Sequence, residues 1–140
     1  MSDWDRRFMD LAERVASWSK DPSTQVGAII TDSKNRIVST GFNGFARGIE
    51  DDLNIPRETK LMRMIHAEEN ALLFARCSVE GFSLYVTRPP CANCASKIIQ
   101  AGIKRVIYPN PPFEFLERWS EHIKESLGMF KQVNIKVTML

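Results

Sequence analysis

FSLYVTRPPCANCASKIIQAGIKRVIY, residues 82–108, reads as one strand–helix–strand unit. Residues 82–87 are β-branched and aromatic enough for a buried strand, and Pro89-Pro90 stops it. Residues 92–101 then predict a helix, with Gly102 as its C-terminal stop, and residues 104–108 a second short buried strand. A helix between two strands is a crossover, so this pair is expected to be parallel.

The same pattern continues outward in both directions. Trp4, Phe8, Leu11, Val15 and Trp18 recur in steps of four and three, the stripe of an amphipathic helix with Ser2 as N-cap and Asp21-Pro22 as its end. Residues 25–31 and 36–40 predict two strands, made antiparallel by the short turn Asp32-Ser33-Lys34-Asn35. A glycine-punctuated loop, 41–48, runs on as polar loop to Lys60. Helices are expected at 65–77 and 113–127, and a last strand at 133–138. The order α-β-β-α-β-α-β-α-β implies an α/β fold with a mixed five-stranded sheet, helices on both faces and the last two strands parallel. Its edge near residues 66 and 91 is where such sheets carry ligand sites.

At 140 residues the chain is expected to form a single domain, residues 1–140, whose core needs no disulfide. A net charge of +2 is too small to indicate a nucleic-acid partner. There is no apolar run of membrane-span length, and Met1-Ser2-Asp3-Trp4-Asp5 is acidic without a secretory core. With three cysteines, two of them in C-x-x-C, these features predict a cytoplasmic protein.

The chemistry lies in His66-Ala67-Glu68 and Cys91-Ala92-Asn93-Cys94. A catalytic zinc commonly has three protein ligands and one open position, and His66, Cys91 and Cys94 supply three. Thiolates at the first turn of a helix are favoured by its free N–H groups and dipole. Glu68 is then free to move protons, taking one from water and delivering protons to a ring nitrogen and a departing amine. On a regular helix, residues two apart point in different directions, so His66 and Glu68 share a pocket only at a helix entrance. The competing readings are a redox C-x-x-C dithiol and a structural zinc with a fourth ligand. For that fourth ligand the remaining residues are Cys77, expected as a small buried thiol, and His122, expected to be solvated. Glu69 is a favourable carboxylate in the first helical turn.

Asp21-Pro-Ser-Thr-Gln-Val-Gly-Ala28, Gly41-Phe-Asn-Gly44, His66-Ala-Glu-Glu-Asn-Ala71 and Pro89-Pro-Cys-Ala-Asn-Cys94 through Ile103 carry a resemblance. H-x-E…P-C-x-x-C is the signature of zinc-dependent nucleobase deaminases. The chain resembles the cytidine/deoxycytidylate deaminase superfamily, and within it the deoxycytidylate (dCMP) deaminase branch. That resemblance implies a three-layer cytidine-deaminase-like sandwich, one Zn2+ per chain, and hydrolysis of dCMP to dUMP and ammonia, supplying thymidylate synthesis. It implies that Asn43 hydrogen-bonds the pyrimidine and that the Ala67 N–H contacts its carbonyl oxygen; a left-handed turn is the other use of Asn43. It also implies a homohexamer, activation by dCTP and inhibition by dTTP with Mg2+ accompanying the triphosphate, and an effector site near Gly41, Phe42, Gly44 and Arg47. Arg88 stands where many relatives have an apolar residue. Arg88, Arg47, Arg57 and Lys60 are each a phosphate contact or a solvated charge; Ser23 and Thr24 are phosphate contacts or turn residues. Alternatives are a dCMP/dCTP bifunctional enzyme, a tRNA or single-stranded DNA base deaminase, a free-cytidine deaminase, and a catalytically silent nucleotide-binding module. The missing basic run and Asp51-Asp52 weigh against nucleic acid, and the helix after Pro112 weighs against free cytidine.

Overall fold

Ala28, Ile29 and Ile30 have no solvent-exposed side, and the strand that contains them is the one on which the sheet is assembled. The computed structural model describes residues 2–51 and 54–140. Its strands are β1 (Gly27–Thr31), β2 (Ile37–Phe42), β3 (Gly44–Phe45), β4 (Met64–Ile65), β5 (Ser83–Val86), β6 (Arg105–Tyr108) and β7 (Lys136–Met139). Its helices are α1 (Asp3–Ala16), α2 (Arg57–Arg63), α3 (Ala67–Phe74), α4 (Ala92–Gln100) and α5 (Phe113–Gln132). The five-stranded sheet has the order β2-β1-β5-β6-β7. β1 is antiparallel to β2 and to β5, with Ala28 opposite both Gly41 and Val86. β5, β6 and β7 run parallel, as their helical crossovers require.

Successive side chains of a strand point to opposite faces, and this alternation divides the core in two. Ile29, Tyr85 and Ile107 pack with Phe8, Met9, Ala12 and Val15 of α1. Ala28, Ile30, Leu84, Val86, Val106 and Tyr108 pack with Ala67 and Ala71 of α3, Ala95 and Ile98 of α4, and Phe130 of α5. Helices therefore cover both faces. At Gly27 the α1 backbone approaches so closely that a Cβ would lie 2.1 Å from the Ala12 carbonyl oxygen.

Several boundaries differ from expectation. α1 stops at Ala16 with Ser17 as its C-cap, so Trp18 lies outside the helix, and Trp4 is exposed. The helix expected at 65–77 spans only Ala67–Phe74, because His66 and Ala75 are both extended. Cys77 consequently lies beyond the helix and is exposed, not buried. The loop expected to Lys60 contains α2, which buries none of its residues and so shows no apolar stripe. β2 continues through Gly41 and Phe42, and the turn after it pairs β3 with β4. α5 runs past Gly128, displacing the last strand to Lys136–Met139. A helical glycine costs about 1 kcal/mol; Phe130, only 1% exposed, offsets this by entering the core.

One buried polar cluster joins α1 to the sheet. The Arg105 guanidinium donates to both Asp5 carboxylate oxygens, at 2.9 and 2.6 Å, and the Tyr85 hydroxyl donates at 2.6 Å. The Arg105 hydrogen bond is the main cause that lowers the Asp5 carboxyl to about 2, against the opposing effect of burial. The folded chain therefore holds Asp5 ionised where the unfolded chain protonates it. The stabilisation is complete above the unfolded value of 3.8 and is lost as pH falls toward 2. In urea titrations the parent should lose on the order of 2 kcal/mol through that window that Asp5→Asn does not lose; parallel pH profiles would refute this account.

Candidate active site

Two strand-to-helix junctions lie side by side, one after β4 of the two-stranded sheet and one after β5, the central strand of the five-stranded sheet. β4 ends at Ile65, and His66 follows as the extended N-cap of α3 (φ −76°, ψ 158°). Glu69 closes a capping box by accepting the His66 N–H at 2.9 Å. β5 leads through Thr87 and buried Pro89-Pro90 to Cys91, the extended N-cap of α4 (φ −72°, ψ 167°). Glu69 also pairs with Lys97 of α4, linking the two helices. Because His66 is a cap and not a helical residue, His66 and Glu68 share one pocket.

His66 Nδ1 lies 3.2 Å from Cys94 Sγ and 3.6 Å from Cys91 Sγ. All three donor atoms fall within 4.8 Å of one another. Tetrahedral zinc with Zn–S of about 2.3 Å and Zn–N of about 2.0–2.1 Å places donors roughly 3.5–3.8 Å apart, so the set fits that ion. Hydrogen bonds from the Cys94 thiol, His66 and the Cys94 N–H lower the Cys91 thiol to about 4, although burial opposes them. Cys94 is pushed up because it shares its proton with Cys91 and is buried. Cys91 is thus the stronger acid of the pair. Glu68 is 4% exposed, and burial raises its carboxyl to about 7.

His66, Glu68 and Cys91 open on a cavity of about 130 Å³. Asn43, Ala67, Ser23, Thr24 and Arg88 all line it. Asn43 is buried and has no left-handed backbone. Its Oδ1 accepts the Val26 N–H at 2.8 Å and its Nδ2 donates to the Thr24 carbonyl at 2.8 Å. One lone pair and one N–H remain available. Ser23 and Thr24 donate their backbone N–H groups to Asp21 Oδ1, so they form a turn as well as a cavity wall. Lys60 is paired with the same oxygen at 2.9 Å. Arg88 donates to the Thr87 carbonyl and lies over the Phe115 ring. Arg57 also lines the cavity, whereas Arg47 is exposed away from it.

The four expected effector residues have different surroundings. Gly41 packs on α3, where a Cβ would lie 2.4 Å from both the Ala67 oxygen and the Ala71 nitrogen. Phe42 meets Trp18 edge-on. Gly44 borders a small depression of about 20 Å³ with Lys20, Asp51 and Lys60, which neither Gly41, Phe42 nor Arg47 lines.

α5 supplies a wall that the motifs did not indicate: Phe115, Arg118, Trp119, His122 and Ile123. His122 is half-buried and not simply solvated: its Nδ1 accepts the Ala92 N–H at 3.1 Å, and Trp119 packs against its ring. The four-residue step from Phe115 to Trp119, continued at His122 and Ile123, was the available signal.

Three donors suited to zinc, a buried carboxyl beside them and a cavity at their open side define a catalytic metal site of the hydrolytic kind. The chain belongs to the cytidine and deoxycytidylate deaminase family, whose zinc-binding region matches residues 2–110. It is 52% identical to an uncharacterized deaminase of the luxG 3′ region of Aliivibrio fischeri, over 100% of this chain and 95% of that protein. Against the deoxycytidylate deaminase of Mus musculus it is 45% identical over 76% of this chain and 64% of the mouse protein. The chain thus spans less than two thirds of that relative. Among solved structures, the dCMP deaminase of cyanophage S-TIM5 in complex with dCMP and dUMP superimposes with a TM-score of 0.80 at 26% identity, covering 100% of this chain and 99% of that one. A tRNA:A34 deaminase, at 22% identity and a TM-score of 0.59, shares the fold alone.

Cys91 and Cys94 should resist alkylation in zinc-loaded protein while exposed Cys77 reacts, and a chelator should release one zinc per chain and open both thiols. Mass spectrometry of the alkylated chain checks this; ready alkylation of all three before chelation would refute it.

Proposed function

We propose that this chain hydrolyses dCMP to dUMP and ammonia. The observation that carries this reading is cationic: Arg57, Arg88 and Arg118 line the cavity, and none has a carboxylate partner among the described residues. Lys60, by contrast, is neutralised by Asp21. A nucleoside offers these guanidinium groups nothing anionic, whereas a 5′-phosphate can accept from them directly. The cyanophage dCMP complex on the same fold supports the same substrate.

The reaction needs a base held flat, a water oxygen added to C4 and two protons moved. Asn43 and the Ala67 N–H would orient the pyrimidine edge. Zinc held by His66, Cys91 and Cys94 would supply a Lewis acid that lowers the pKa of water toward neutrality. Glu68, buried and poised near neutral pH, takes a proton from water as oxygen bonds to C4 and passes it to N3. The hydroxyl added at C4 then gives its proton to Glu68, which passes it to the amino group; the C4–N bond breaks with its electron pair on nitrogen, the C4=O bond forms and ammonia leaves. Phe115 and Trp119 complete the wall of the pocket.

Ammonia release from dCMP should exceed that from cytidine, dCTP and a tRNA stem-loop. Replacing Arg88 or Arg118 by Ala should lower kcat/KM for dCMP about tenfold or more while leaving the slow rate on deoxycytidine in place. Equal turnover of cytidine and dCMP would reject phosphate recognition. Separately, Glu68→Ala should keep its zinc, measured by metal analysis, and lose about 10²–10⁴-fold in kcat; near-parental turnover would remove Glu68 from the proton path.

A further inference from the structure

We propose that His122 and Ser126 of α5 are positioning residues for the zinc ligand Cys91, pinning the peptide groups on both sides of it. Cys91 is the N-cap of α4: its carbonyl accepts the first helical hydrogen bond, from the Ala95 N–H at 2.9 Å, but the ladder offers no acceptor to the Ala92 N–H and does not reach the peptide before Cys91. Two peptide planes meet at its Cα, and their angles φ −72° and ψ 167° set where Sγ points. The plane after Cys91 ends in the Ala92 N–H, one of the helix's orphan donors, and His122 Nδ1 accepts it at 3.1 Å. The plane before Cys91 carries the Pro90 carbonyl, which faces the Ser126 hydroxyl at 2.8 Å. Ser126 is 2% exposed, and its single proton lies between that carbonyl and the His122 carbonyl of its own helix, also at 2.8 Å.

His122 and Ser126 stand four residues apart, so one face of α5 grips both flanks of the ligand. The ring of His122 is itself held: Trp119 packs against it at 5.3 Å, edge-on. Accepting through Nδ1 leaves the neutral ring's proton on Nε2. The other donors are held differently. Glu69 accepts the His66 N–H, and Cys94 lies inside the first turn of α4. Cys91 therefore takes two of its backbone supports from a helix more than thirty residues away in sequence. Outer groups that orient metal ligands commonly carry about 10–100-fold of metal affinity.

The proposal concerns the metal site alone and holds whichever nucleotide is deaminated; zinc affinity is read without substrate, so its failure and that of the dCMP reading are distinguishable. The test uses the full chain with His122→Leu, which removes the acceptor, His122→Asn, whose Oδ1 falls near the Nδ1 position, and Ser126→Ala. Zinc affinity is measured by competition with a chromophoric chelator, and the site is reported by the absorption bands of the cobalt(II)-substituted protein. His122→Leu should weaken zinc roughly 10–100-fold and alter the thiolate-to-cobalt bands. His122→Asn should recover most of both, and Ser126→Ala should show a smaller loss. Should His122→Leu not fold, His122→Gln replaces it, since its longer amide reaches the Nε2 position, and it should behave as a loss variant beside Asn. Parental affinity and unchanged bands in the loss variant, or equal weakening in the loss and Asn variants, would overturn the proposal.

Discussion

The Glu69 carboxylate makes two contacts on which the site depends. One oxygen accepts the His66 N–H and the other meets Lys97. The first contact ends β4 and starts α3 at a defined residue; the second ties α3 to α4. Without the first, His66 would be free to extend the helix backward, and the imidazole and Glu68 would point in different directions. The second adds to the core packing of α3 with α4 and fastens the two helix entrances that carry the metal donors. The charge pair is partly exposed, so its own energy is small. Its importance is geometric, because the donor atoms must converge within a few ångströms.

Burial then gives those atoms their chemistry. Glu68 lies in the first turn of α3 with almost no solvent, and burial raises its carboxyl toward neutrality. A surface glutamate would stay ionised and return protons poorly. The neighbouring thiols divide differently: hydrogen bonds make Cys91 the stronger acid, while Cys94 retains the shared proton. A carboxyl raised toward neutrality, beside a thiol made more acidic, is suited to hydrolysis at a ring carbon.

What could be read in advance follows the range of the interaction concerned. Cys91 and Cys94 are three residues apart on one turn, and His66 and Glu68 two apart, so their chemistry was visible in short stretches of sequence. The parallel order of β5, β6 and β7 followed from the intervening helices. Asp5 and Arg105, one hundred residues apart, left no local trace of their pairing. α2 buries nothing and so lacked an apolar rhythm. Gly128 suggested an end to α5, but the packing of Phe130 outweighed it. His122 looked like one charge among many on a polar helix, because its partner is a backbone N–H that belongs to another element.

α5 begins at Phe113, just beyond the segment that the family shares, and of its residues only Ser126 and Phe130 are buried. The metal-bearing turns and the wall facing them are therefore written in separate parts of the chain. Substitutions at Phe115 or Arg118 can reshape what the cavity accepts without disturbing the packed sheet. Ser126 and His122 have less freedom, since they hold Cys91. A lineage carrying this zinc region can thus diverge in substrate along half of one helix face, while the other half keeps the chemistry constant.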